Sequence, residues 1–501
     1  MTTPSRAGAR EWLGLAVLAL PTVLLGMDAT VLYLAAPHLN ADLAPSGTEL
    51  LWIVDVYGFM VAGFLVTMGT LGDRIGRRRL LMIGAAAFGA ASVLAAYAPS
   101  PELMIAARAL LGVAGATLGP STLALISTMF RDPRQRATAV ALWATCFSVG
   151  IAVGPIVGGL LLEWFWWGAV FLVAAPVMAL LVVAAPVLLP EYSDPDAGRL
   201  DLVSVALWLV SVLPVIYGIK QLTKGGGLEA AATIAVGVAF GVLFARRQLR
   251  LADPMLDLGM FRSRTFSAAL LVQLGTLTMI GGVYLFVTQY LQLVEGFSPL
   301  VAGLWLLPSA VVLVVASMLV PVVARRVRPA YVTGVSLVVT AIGFTLLALV
   351  GGLPMLVVGF AVVYLGISPV MALGTDMVIG TAPPQKAGSA AAMAETAMEF
   401  GIALGVAVFG VIGTAVAGGA LLDAAPDAFT DGLNVVAGIG AVLVLVLAVV
   451  VVRLLRGLPA GQEQPAEHDH DGGGHGGEQV GEGVGHVDHG GEQRPAAQHR
   501  A

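Results

Sequence analysis

Charge is what this sequence has least of. Only 11% of its residues are Asp, Glu, Lys or Arg, against about 25% in soluble domains. Apolar residues make up 58%, and the mean hydropathy is +0.91. A soluble globular protein is excluded on that balance. Cysteine is nearly missing: Cys146 stands alone, so no intrachain disulfide can form, and it reads as a small packing residue. The signatures H-E-x-x-H, G-x-S-x-G and the phosphate-binding P-loop are absent, so no catalytic constellation can be named and no enzyme is expected. The net charge of −5 says little, because the acids collect in the tail and in one set of loops.

What the chain does have is long apolar runs. A membrane span needs about 20 apolar residues, and candidates lie near 12–36, 50–71, 80–98, 103–129, 138–162, 167–189 and 202–221. Seven more follow near 228–245, 267–291, 300–324, 331–350, 354–379, 389–417 and 433–455. The first run is too long for a signal-peptide core and lacks a small-residue cleavage site, so it is kept as a mature span. With fourteen spans and both termini cytoplasmic, 23 of the 26 basic residues fall on the inner side. Lys220 and Lys224 fall outside, and Arg108 falls within a span. A thirteen-span count would invert half of that pattern. The expected protein is all-α and multi-pass, set in the plasma membrane.

The chain repeats itself weakly. Placing Gly150 opposite Gly401 brings Gly154 to Gly405 and Thr145 to Thr396, with Ala144 and Ser148 opposite Glu395 and Glu399. Placing Trp52 opposite Trp305 brings the basic segment 73–79 near Arg325–Arg328. Two six-helix bundles, 12–189 and 267–455, follow, joined by a linker (190–266) that carries helices seven and eight. A short cytoplasmic N-terminus (1–11) and a tail (456–501) complete the chain. The tail is rich in Gly, Glu, Gln and His, holds six of the seven histidines, and has neither Cys nor fixed ligand spacing. It reads as disordered rather than as a metal site.

Four carboxylates lie inside these apolar runs: Asp28, Asp55, Glu395 and Glu399. A charge at mid-bilayer costs about 2.5–3.5 kcal/mol even on the lenient insertion scale, so each needs a function. At 1.5 Å per residue, Asp28 lies about 13 Å below Pro37 and Asp55 about 9 Å below Glu49. Arg108 sits at comparable depth and neutralises one of them. One arginine against four acids leaves a deficit of three charges, to be met by protons or by a cationic substrate. Glu395 and Glu399 are i and i+4 on one helix face, and like charges that close disfavour double ionisation. Thr396 is adjacent.

The segment GTLGDRIGRRR (69–79) joins the second and third spans. Gly69, Gly72 and Gly76 surround a tight turn, Asp73 can cap the next helix or pair with an arginine, and Arg74, Arg77 and Arg78 hold the turn to the inner face. This loop resembles the signature of the major facilitator superfamily. Three further stretches are similar to its fourteen-span drug:proton antiporters: DATVLYLAAP (28–37), the fourth-helix set Arg108, Gly112, Gly115 and Ala116, and GIAVGPIVGG (150–159). Tyr33 stands where that family often has Asn. WIVDVY (52–57) and AETAMEFG (394–401) add to the likeness.

The resemblance implies export of hydrophobic, cationic drugs or antiseptics by alternating-access antiport. The proton gradient would drive it, with no cofactor or metal, no nucleic acid, and a monomer as the working unit. Gly150, Gly154, Pro155, Gly158 and Gly159 would shape the seam between bundles and limit proton leak. Trp52, Tyr57, Trp143, Phe147, Met279, Tyr284, Phe286, Met393 and Met398 would line a polyspecific pocket, where soft sulfurs and ring faces suit lipophilic cations. An exporter dedicated to one antibiotic is the alternative, and a nutrient symporter a more distant one.

Overall fold

The computed structural model describes residues 7–193, 200–222, 227–251, 254–324, 327, 329–382 and 387–455. The His-rich tail, Arg199, Lys224, Lys386 and the cluster Arg325, Arg326 and Arg328 lie outside the described residues. Fourteen helices among the described residues are long and apolar enough to cross a membrane. The first half holds α1 (Ala9–Leu43), α2 (Gly47–Ile75), α3 (Arg77–Ala96), α4 (Pro101–Met129) and α5 (Pro133–Trp164). The short α6 (Ala169–Leu172) and α7 (Ala174–Leu188) follow. Val173 between them stays in the helical region (φ −56°, ψ −31°), so the two run on as one span. A hairpin of α8 (Leu202–Gln221) and α9 (Gly227–Gln248) comes next. The second half holds α10 (Arg264–Leu293), α11 (Pro299–Ala324), α12 (Pro329–Ala348), α13 (Leu353–Gly380), α14 (Ala387–Ala417) and α15 (Pro426–Leu455).

Local sequence sets the helix starts. Ser46 accepts from the Glu49 amide while Glu49 reaches back to the Ser46 amide, a reciprocal cap that begins α2. Ser100, Asp132, Asp201 and Ser263 cap α4, α5, α8 and α10 in the simpler way. At 35 residues α1 is about 52 Å long, well beyond a bilayer core of about 30 Å, so its polar end at His38, Asn40 and Asp42 belongs to the same helix as its apolar centre.

The weak repeat has a geometric counterpart. α1 packs along α5, and α10 packs along α14. A Cβ at Gly150 would collide with the Val23 carbonyl of α1, and one at Gly405 with the Thr278 carbonyl of α10. Only a glycine lets the backbones approach that closely. Within the first half α4 packs on α2 and α3; within the second, α13 packs on α11 and α12. The halves meet along two seams, α2 against α14 and α5 against α11. The hairpin α8–α9 lies outside this pair of halves, with α8 covering the α2–α14 seam.

One end of the molecule is basic. Gly76 adopts φ +106° between α2 and α3, a conformation only glycine takes easily, and Arg77 pairs with Asp73 at 2.6 Å. Arg78 and Arg79 reach Glu191 beyond α7, and the Arg78 guanidinium also donates to the Leu189 carbonyl. The turn is thus clamped by Glu191, an acid with no place in the sequence motif. Arg74 is exposed. Open space surrounds Gly69 where a side chain would sit, so packing does not account for that glycine. At the same end Asp201 accepts from Ser204 and Arg247, joining α8 to α9. Partial burial pushes the Asp201 carboxyl up, but these hydrogen bonds outweigh it and hold the group below the usual aspartate range.

Candidate functional site

The four intramembrane acids divide into two kinds. Asp28 of α1 meets Arg108 of α4 through both carboxylate oxygens, at 3.1 and 3.0 Å. The Arg108 side chain is only 3% exposed; it also donates to the Ile53 carbonyl, and its guanidinium lies 4.7 Å from the Tyr57 ring centre. A forked donor between a carboxylate and a ring face suits arginine and would not suit lysine. Asp28 is therefore the acid that Arg108 neutralises.

Asp55 has a different partner. The Lys220 ammonium stands 2.7 Å from its carboxylate, and both side chains are 0% exposed. The ammonium also lies 3.8 Å from the ring centre of Trp52. This corrects the sequence reading, which left Lys220 at the outer membrane edge and counted one internal base against four acids. Two bases oppose four acids, and the deficit is two charges. A lysine near the end of a span ordinarily extends to water. Here the side chain turns inward because Asp55, one helix away on α2, offers a charge that the apolar interior cannot screen.

Glu395 and Glu399 of α14 make no ion pair among the described residues. Both keep partial exposure, whereas Thr396 between them is buried with its hydroxyl unpartnered. α14 rests closely on α2 here: a Cβ at Gly58 would lie 2.9 Å from the Ala403 methyl and 3.4 Å from the Glu399 carbonyl. Gly58 adjoins Tyr57, whose ring lies under Arg108, so the α14 backbone at Glu399 packs one residue away from the Asp28–Arg108 cluster of the first half.

The aromatic and methionine candidates scatter. Tyr57 lies under Arg108 and Trp52 under Lys220, so two rings hold charged side chains. Tyr284 stands edge-on to Tyr33 across the halves, with centroids 5.0 Å apart. It lines a small cavity with Pro155, Ser309, Phe360 and Tyr364. Sequence reading had not singled out Ser309, Phe360 or Tyr364. Trp143 donates to Thr122 of α4, and the Phe147 carbonyl packs against Gly26 of α1. Met279 and Met393 are buried, and Met398 partly so. Phe286 is fully buried and faces Phe429 of α15 and Gly413 of α14.

The Gly-Pro segment serves two neighbours. Cβ atoms at Gly150, Gly154 and Gly158 would strike α1, whereas one at Gly159 would lie 2.6 Å from Leu300 Cα on α11. Residues i and i+4 share a helix face and the next residue turns about 100° away, so one stripe binds α1 and Gly159 meets the other half. The Pro155 carbonyl, in turn, would lie 2.5 Å from a Cβ at Gly303. Hydrogen bonds from Ser298 to Glu163 and from Asn40 to Asp423 also cross between halves, both at the end opposite the basic one. Gly303→Leu is expected to pry this seam apart, because the facing atom is backbone and cannot rotate away. Folded yield should hold while flux collapses and passive proton leak rises in proteoliposomes. Pro155→Ala, which removes a bend without adding bulk, should lower flux less. Unchanged flux in Gly303→Leu would show that the seam need not close.

Two helical halves joined at seams, with acids inside apolar helices, have the architecture of a membrane transporter. The Major Facilitator Superfamily profile matches residues 18–406, and the chain belongs to that superfamily. It is 44% identical to the multidrug efflux pump LfrA of Mycolicibacterium smegmatis, over 90% of this chain and 97% of that protein. It is 35% identical to the methyl viologen resistance protein SmvA of Salmonella typhimurium, over 80% of this chain and 82% of that one. The tetracenomycin C resistance and export protein of Streptomyces glaucescens is 32% identical over 82% and 77%. Among solved structures, an inward-facing bacterial homologue of the lysosomal transporter Spinster superposes with a TM-score of 0.66 at 15% identity. That match covers 92% of this chain and all of that one. The fold is a transporter fold, and the protein is a multi-pass membrane protein.

Proposed function

We propose that this chain exports hydrophobic organic cations in exchange for protons, with its basic end and both termini in the cytoplasm. The observation that carries the reading is the pair Glu395 and Glu399 on α14, a helix of the seam with α2, which make no ion pair among the described residues. A bare carboxylate there is costly, so the site accepts either protons or a cation, and exchange of one for the other is antiport. The halves rock about α2–α14 and α5–α11, presenting the acids to each side in turn. The proton gradient is the energy source, no cofactor is needed, and a single chain suffices. The relatives named for multidrug efflux and methyl viologen resistance support a cationic substrate range.

The relative named for tetracenomycin C resistance and export favours a second reading, a dedicated exporter of one antibiotic. A panel of mono- and divalent organic cations and neutral antibiotics separates the two in cells with and without the protein. The first reading expects lower accumulation of many cations, restored by a protonophore. One protected compound supports the second. Equal accumulation of every compound in both cell types refutes both.

A further inference from the structure

The helices between the halves look like a spacer, yet α8 carries the only charge that meets Asp55 among the described residues. Lys220 could extend to the membrane surface from its place one residue before the end of α8, and instead it lies fully buried against Asp55 and the Trp52 ring. Below that contact α8 continues along α2, with Ile216 beside Phe59 and Trp208 beside Gly63. Toward α14, Trp208 meets Phe400 edge-on, with ring centroids 5.7 Å apart, and Ile216 clusters with Ala403 and Ala407. The buried ion pair ties α8 to α2, because separating its members would leave two uncompensated charges in the interior.

We propose that Lys220 is a positioning residue for transport. It is the standing counter-cation of Asp55, it makes the α8–α9 hairpin travel with the first half, and it withdraws Asp55 from the acids open to protons and substrate. The proposal rests on the exporter reading for its transport arm only. A buried charge left without its partner is far worse than a pair of neutral residues in the same place. Asp55→Asn is then harmful because it strands the Lys220 ammonium, and Lys220→Gln because it strands the Asp55 carboxylate.

The test is a double-mutant cycle in purified protein and in cells. Each single variant is expected to lower the thermal midpoint by about 5 °C or more and to reduce efflux about tenfold or more. Asp55→Asn with Lys220→Gln is expected to recover both, to within about twofold in efflux, as coupled neighbours do. Lys220→Arg, which keeps the cation, should stay near wild type in stability. A double variant as stable as the wild type but as inactive as Asp55→Asn would show that Asp55 itself carries protons or substrate, and would overturn the proposal. A double variant less stable than either single one would overturn it as well. The thermal arm needs no transport, so recovery of stability stands even if the exporter reading fails.

Discussion

Glu399→Gln is expected to reduce efflux of cationic substrates to the level of cells without the protein. α14 begins at Ala387, so Glu399 lies about 18 Å along it, close to mid-bilayer, and Glu395 about 6 Å nearer the end where α14 starts. Glu399 is also the glutamate whose backbone packs on α2 beside Tyr57, under the Arg108 guanidinium. Glutamine keeps the volume and the hydrogen-bonding capacity and removes the charge, so folded yield should be retained while exchange stops. Glu395→Gln should be selective, because a divalent cation needs two acceptors and a monovalent one needs only the deeper acid. Comparing monovalent and divalent dye efflux in both variants checks this division. Equal losses across all substrates at both positions would refute it, and wild-type efflux in Glu399→Gln would remove α14 from the site.

The fourteen spans were legible in composition, because the bilayer imposes a length and an apolarity that ordinary cores do not. Helix ends were less so: α1 runs from Ala9 to Leu43, beyond the predicted 12–36, since a helix continues past the lipid once its polar end finds protein or water. The turn at 69–79 was readable down to the Asp73–Arg77 pair, a local contact four residues apart. Its anchor at Glu191 lies more than a hundred residues away and leaves no local trace.

At the site, depth along each helix was readable and partner identity was not. Arg108 was expected to meet one of the acids, but the choice of Asp28 depends on how α1 and α4 face each other. Lys220 escaped notice because a lysine at the edge of a span is normally an interfacial anchor. The signal that would have exposed it is the lack of any base for Asp55 within its own bundle, with a tryptophan three residues before it. Phe286, by contrast, is fully buried against Phe429 of α15. An aromatic residue on an inward helix faces a seam or a bundle interior according to a rotation that apolar composition does not encode.

Asp28→Asn carries the second large effect, by a different route. The amide fits the space of the carboxylate, but it leaves the Arg108 guanidinium, 3% exposed, without its counter-charge. Breaking a buried ion pair from one side costs about 3–5 kcal/mol, so the variant should fold with a lower thermal midpoint and reduced yield. What remains for Arg108 is the Ile53 carbonyl and the rings of Tyr57 and Phe171. A guanidinium drawn toward Glu399 would occupy the place of a substrate cation, so efflux is expected to fall to background even in the fraction that folds. Asp28→Glu, which restores the charge on a longer arm, should recover stability and part of the flux. The measurements are the thermal midpoint of the purified protein and efflux of a monovalent dye normalised to folded protein. Wild-type efflux per folded Asp28→Asn molecule would mean that the Asp28–Arg108 pair is scaffolding only, and that proton and drug compete at α14 alone.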